Sequence, residues 1–320
     1  MTSANEHEGG GPADGRSRRV LLAAIPLAGM AGALVLLAAT LDVRQVVSSV
    51  ASASAPWVAA GAALCLLSTL IGSLRLSLFL RAAGMRRPLR RCWSAVMAGL
   101  TLNAFLPARG GDLAKGVFLA DAPGERATLL GIVLVERVFD VFMLGALGTL
   151  SAVALTEWSM AALGAALMSA PIGAFAALRF AHRTPVMRPF FERMGHGARS
   201  ITARPWCAVG AGGVAALAWL NNTMILWCLL RATGASVEPL RAVGAGALAI
   251  FIGLLPVSVS GIGTRDAALA ALLRGAAEPE AVVAAAMLYT VLGYWMLAAI
   301  GALTLRAELA RAMRARRGRD

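Results

Sequence analysis

Apolar runs long enough to cross a lipid bilayer constrain this chain more than any other feature. Between Trp57 and Leu80 the only charged residue is Arg75, and the windows Val20–Thr40, Trp206–Leu230 and Ala281–Leu305 carry none. A helix needs about 20 such residues to traverse ~30 Å of hydrocarbon. The chain is 58% hydrophobic and only 15% charged, with a mean hydropathy of +0.72, where soluble domains run near 25% charged. The short alternating segments of a membrane β-barrel are absent. The expected fold is therefore all-α, a polytopic membrane protein.

The net charge of +13 is almost wholly arginine, since Lys115 is the only lysine. In a soluble chain that balance would point to nucleic acid. Here it marks loops, because cytoplasmic loops of membrane proteins collect Arg and Lys, and no nucleic-acid motif is present. Cys65, Cys92, Cys207 and Cys228 lie in apolar windows without CxxC spacing, and His7, His182 and His196 lie in a polar tail and a basic loop. Neither set has metal-ligand spacing, so no metal and no cofactor is expected.

Two stretches interrupt the apolar pattern in the same way. Asn103-Ala-Phe-Leu-Pro-Ala-Arg-Gly-Gly-Asp-Leu-Ala-Lys115 and Leu255-Pro-Val-Ser-Val-Ser-Gly-Ile-Gly-Thr-Arg-Asp266 both run apolar helix, Leu-Pro, a glycine break and a charged restart. Proline ends a helix and glycine permits reversal. Broken backbone at membrane depth survives only where protein or a wet cavity surrounds it.

Loop charge then sets the threading. The basic segments (the N-terminal tail, 81–91, 181–205 and the C-terminal tail) belong on the cytoplasmic side, and 41–56, 156–160 and 231–241 outside. With spans at Val20–Thr40, Trp57–Leu80, Ala127–Leu155, Ala161–Phe180, Trp206–Leu230 and Ala281–Leu305, parity holds only if 92–122 and 242–275 each enter and leave by one face. The expectation is about six full transmembrane helices and two re-entrant broken-helix hairpins in an inverted repeat, approximately 57–155 and 206–305. Residues 20–305 form one transmembrane domain, 1–19 a disordered cytoplasmic tail and 306–320 a basic cytoplasmic tail, in the cell inner (plasma) membrane. Such inverted repeats are a transporter plan.

Charges cluster at the breaks. Glu136 and Asp140 share a helix face at i,i+4, and Arg137 can pair with Asp140 at i,i+3. With Arg109, Asp112, Lys115, Arg265 and Asp266 they make four cations against four anions. Arg75 falls outside that balance and reads as snorkelling from the inner end of its span. The half-helices starting at Gly111-Asp112 and Thr264-Arg265-Asp266 present N-termini suited to an anion such as a lipid phosphate. The alternative is that Asp112, Thr264 and Asp266 cap their helices and the ion pairs lock the hairpins.

At these residues the chain resembles the lysylphosphatidylglycerol synthase transmembrane-region family of flippase-like membrane proteins. The resemblance rests on Pro107-Ala-Arg109-Gly110-Gly111-Asp112-Leu-Ala-Lys115, Glu136-Arg137-Val-Phe-Asp140 and Gly261-Ile-Gly263-Thr-Arg265-Asp266, and covers roughly residues 20–305. Asp at 112 and 266, Lys115 and Ser260 depart from the usual Glu, Arg and Gly. The resemblance implies translocation of a polar-headed lipid, and only fifteen residues follow Leu305, so the family's soluble synthase domain is not expected. The substrate-binding candidates are Arg109, Gly110, Gly111, Asp112, Lys115, Glu136, Arg137, Asp140, Gly261, Gly263, Arg265 and Asp266. No Walker loop, HExxH or GxSxG motif is present, so no enzyme activity is expected. The alternative is an intramembrane enzyme, or a subunit presenting a lipid to a partner lipid-modifying enzyme. Membrane lipids are the expected partners in each case.

Overall fold

The computed structural model describes residue 28 and residues 30–106, 110–122, 124–181, 205–255, 258 and 260–317. The tail 1–19, most of the basic loop 181–205 and Arg109 lie outside the described residues. The elements, in order, are α1 (Met30–Thr40), α2 (Val43–Ala51), α3 (Ala55–Ala82), α4 (Leu89–Asn103), α5 (Gly110–Leu119), α6 (Glu125–Ala154) and α7 (Trp158–Ala181). They continue with α8 (Pro205–Ala232), α9 (Pro239–Leu254), α10 (Thr264–Leu272), α11 (Pro279–Thr290), a π-helical segment (Val291–Met296) and α12 (Leu297–Arg317). No strand occurs among the described residues. Proline opens α3, α9 and α11 within their first two positions, where its missing N–H has no helical acceptor to lose.

By length and composition, three helical stretches can cross a membrane: Ala55–Ala82, Val209–Ala232 and Pro279–Arg306. α1 and α2 would supply a fourth crossing if counted as one span, but they meet at 94°. The segment expected only as an outer loop thus contains a helix lying across α1. Val43, Val46, Val47 and Val50 fall on one face of α2 at i, i+3, i+4 and i+7, as in an interfacial amphipathic helix. Val46 packs with Val283 and Ala284 of α11. α6 is 30 residues long, about 45 Å at 1.5 Å per residue, with Glu136 and Asp140 buried within it. α12 continues helically through the basic tail to Arg317.

Small residues set the helix spacing. Lipid offers no hydrophobic gain for helix association, so close backbone approach and van der Waals contact carry the packing. A Cβ on Gly145 would stand 2.8 Å from the Gly164 carbonyl of α7, one on Gly148 2.8 Å from Leu248 Cδ2 of α9, and one on Gly61 3.0 Å from Leu229 Cδ2 of α8. The pairings follow a pattern: α3 packs on α8, α4 on α12, and α6 on α9.

α4 and α5 fold back on each other. Gly111 sits so close to Gly99 that a Cβ there would overlap the Gly99 carbonyl and approach the Asn103 nitrogen to 2.7 Å. At the far end, Arg87 donates to the Leu119 carbonyl at 3.3 Å and pairs with Asp121 at 3.1 Å and Glu125 at 2.8 Å. Arg91 pairs with Asp121 at 2.6 Å. The two ends of the hairpin are therefore pinned together. Burial works against the charge of Glu125, but the Asp121 N–H and the Arg87 guanidinium outweigh it and hold the carboxyl below the usual carboxylate range.

Candidate functional site

Three elements converge on one charged group. Glu136 and Asp140 lie on the same face of α6, as their i,i+4 spacing dictates, and both reach Arg75 of α3. Arg75 pairs with Glu136 and, at 2.6 Å, with Asp140. Arg137 pairs with Asp140 at 2.8 Å and with Asp112 of α5 at 3.0 Å, and lies 3.8 Å from Glu136. Lys115 closes the group on Asp112 at 2.8 Å, one turn along α5. Trp219 of α8 donates its indole N–H to Asp140 Oδ1 at 2.6 Å.

Arg75 is the correction here. Its place near the inner end of an apolar span predicts snorkelling to the interface, yet its residue exposure is 6% and it bridges two acids of a neighbouring helix. A guanidinium about seven residues from a helix end can reach water, but its planar fork also fits two carboxylates at once. The signal that could have found it is its isolation, as the one charge of Trp57–Leu80 facing a span that carries two acids. Trp219 was missed because an indole in an apolar span reads as core, although its N–H needs a partner when buried.

Among the described residues the group holds Arg75, Lys115 and Arg137 against Asp112, Glu136 and Asp140. Burial of so many charges is tolerable only with such pairing. Glu136 Oε2 and Arg75 Nε are nonetheless buried without a hydrogen-bond partner.

The second break is built differently. Ser260, Gly261 and Gly263 have φ of 56°, 75° and 80°, a left-handed run that favours glycine. A Cβ on Gly253 of α9 would stand 2.9 Å from Arg265 Cβ, so α9 and the restart touch at a glycine. Asp266 accepts the Gly263 N–H at 2.9 Å, which caps α10, and receives Arg265 at 2.6 Å. Thr264 instead shares a hydrogen bond with Ser258 at 2.6 Å. Arg265 is 1% exposed. It also donates to the Ala286 carbonyl at 3.0 Å and Thr290 Oγ1 at 2.6 Å, and lies 4.7 Å and 5.9 Å from the ring centroids of Tyr289 and Tyr294. Tyr289 in turn donates to Asn222.

Among the described residues, the ion pairs beside the two breaks thus divide into a six-charge group and a separate Arg265–Asp266 pair. The breaks themselves meet, through the Ser260 hydroxyl donating to the Asn103 carbonyl at 3.1 Å. Gly110 opens α5 at its restart. Among the described residues no set of three or more His, Cys, Asp or Glu side chains is placed to hold a metal ion.

No curated protein gives a significant match to the chain. The family model described as the lysylphosphatidylglycerol synthase TM region matches residues 20–301, which takes in both breaks and every charge of the site. On that match, and on helices built to sit in a bilayer, the chain is a membrane protein and belongs to the lysylphosphatidylglycerol synthase transmembrane-region family.

Proposed function

We propose that this protein is a transporter that moves a polar-headed, phosphate-bearing lipid between the leaflets of the cell inner membrane, without enzymatic chemistry of its own. The observation that carries the reading is the six-charge group among α3, α5 and α6, with five members buried and Arg137 partly exposed. Each intramembrane charge costs roughly 2.5–3.5 kcal/mol on insertion scales. A lock could be made more cheaply, since well-packed apolar residues replace buried ion pairs at little or no cost. Charges kept at that depth suit a path for a charged headgroup.

The hairpin reading is supported by Arg87 and Arg91, which tie the start of α4 to the end of α5 and so favour entry and exit by one face. The arginines of the same loop, like those of the chain termini, favour a cytoplasmic side for both ends. An inverted repeat is supported by the packing. Exchanging α3 with α8, the α4–α5 hairpin with α9–α10, and α6 with α11–α12 maps α4-on-α12 onto α9-on-α6 and leaves α3-on-α8 unchanged. Six full spans follow if α1, α3, α6, α7, α8 and α11–α12 each cross. Arg109, by sequence at the first break, adds a cation to charges that otherwise balance, and is the natural first contact for a phosphate.

Lipid scrambling in proteoliposomes tests this. Arg109→Gln should stop translocation of an anionic fluorescent lipid while the protein stays folded. The pair Arg265→Gln with Asp266→Asn removes both charges of the second break without orphaning either, and should also stop it. If both folded variants transport at the wild-type rate, the charges are structural and the reading fails.

A further inference from the structure

The charged face where the first hairpin enters carries a cavity that the site above does not use. It measures about 610 Å³ and is walled by Arg90, Arg91, Trp93 and Ser94 of α4, Asp121, and Leu303 and Thr304 of α12. Its lining sets two arginines and one carboxylate beside an indole and a leucine. Arg90 is exposed and has no ion pair among the described residues. Arg91 spends one nitrogen on Asp121 at 2.6 Å, while its Nε is buried without a hydrogen-bond partner. Leu303 is 75% exposed, and Trp93, which also lines the cavity, donates its own N–H to Thr69 at 3.2 Å. An indole beside arginines at the end of membrane helices is the arrangement expected at a headgroup layer.

We infer that this cavity is a binding site for the phosphate headgroup of an anionic membrane lipid. Arg90 and the partly exposed guanidinium of Arg91 take the phosphate oxygens, in the charge-assisted geometry that suits guanidinium. Leu303 and Trp93 take the glycerol and the first methylenes of the acyl chains. Charge complementarity and the amphipathic walls choose the occupant: a free anion would leave Leu303 and the indole face unused. The inference deepens the transport reading, resting on it only for the role of the site as the place where a lipid waits before the α4–α5 hairpin. Occupancy itself is a separate measurement.

The test titrates dioleoylphosphatidylglycerol against the purified full-length protein in neutral detergent, with dioleoylphosphatidylcholine as control, and counts bound lipid by native mass spectrometry. Wild type should prefer the anionic lipid. Arg90→Glu, which alters an exposed residue and leaves the Arg91–Asp121 pair in place, should weaken that binding about tenfold. Arg91→Ala should weaken it further, and Arg90→Lys should restore part of it. Wild-type affinity in folded Arg90→Glu overturns the site. So does displacement of the lipid by millimolar inorganic phosphate, which would make the cavity a small-anion site. If wild type binds the anionic lipid as expected but scrambles no lipid in proteoliposomes, the transport reading fails and the site stands.

Discussion

The α4–α5 hairpin spreads its charges over three helices, whereas the α9–α10 hairpin keeps its pair within two adjacent residues. Asp112 and Lys115 belong to the first hairpin, yet their partners include Arg137 of α6, which in turn reaches the acids that hold Arg75 of α3. Arg265 and Asp266 pair with each other, and what lies around them is neutral: a carbonyl, a hydroxyl and two tyrosine rings. Both solutions remove charge from contact with hydrocarbon. The first welds elements together through ions, so losing one member exposes several. The second is a local unit, so its loss stays local.

The largest expected effect follows from that contrast. Arg75→Met should leave Glu136 and Asp140 with Arg137 as their one paired cation among the described residues, costing about 3–5 kcal/mol as for other broken buried pairs. It should lower thermal stability in detergent more than any change at Arg265. A melt unchanged from wild type would show that the first hairpin is not held by its ions.

Next comes the helix crossing itself. Gly111→Ala places a methyl 2.7 Å from the Asn103 nitrogen and Leu102 Cβ, and should cost about 2–3 kcal/mol through forced separation of α4 and α5. Gly110→Ala, whose methyl would meet Leu106 Cβ only at 3.5 Å, should be close to neutral. Equal melting temperatures for the two would break the claim that the first hairpin is set by glycine contact.

At the second hairpin, Arg265→Lys keeps the charge but gives up the fork to Asp266 and the stacking on Tyr289. It should cost about 2 kcal/mol, within the range for charged hydrogen bonds and cation–π contacts. A loss as large as that of Arg75→Met would show that this pair, too, carries remote partners.

The smallest effect is one of pH. The Glu125 carboxyl is depressed in the folded protein, so its contribution is complete above the ordinary carboxylate range and is lost as pH falls through the lower folded value. Being partly exposed, the clamp on Arg87 should be worth about 0.5 kcal/mol. In wild type the difference in stability between pH 7 and pH 3 should exceed that in Glu125→Gln. Identical slopes would place the pinning of the hairpin on Asp121 instead.

Much of the architecture could be read from residues. Pro107 and Pro256 with their glycines marked both breaks, and the i,i+4 acids of α6 announced a shared face that Arg75 confirms. Other features depend on which face of one helix meets which face of another. Arg75 carries the same sequence cue whether it snorkels or bridges, and only the position of α6 decides. The right angle between α1 and α2 was missed because segment 41–56 was read by charge alone, while the valine periodicity of 43–50 carried the helix. The meeting of Ser260 with the Asn103 carbonyl joins residues 157 apart, with no local signal in either.

The π-helical segment at Val291–Met296 has a consequence for angular phase. Each helical residue advances the side chains by about 100°, so five residues of ordinary helix would set Tyr294 well round the axis from Tyr289. The wider turn absorbs that advance, and both rings come to Arg265, their centroids 6.2 Å apart. It also fixes the rotation of everything beyond. Ala298 offers its carbonyl to Thr101 at 3.2 Å, and Gly301 presents hydrogen where a Cβ would stand 2.6 Å from the Met97 carbonyl. Deleting a single residue between 291 and 296 would turn α12 by about 100° as a rigid screw. The glycine would leave α4, a larger side chain would take its place, and the last span would lose its seat against the first hairpin while its own hydrogen bonds stayed whole.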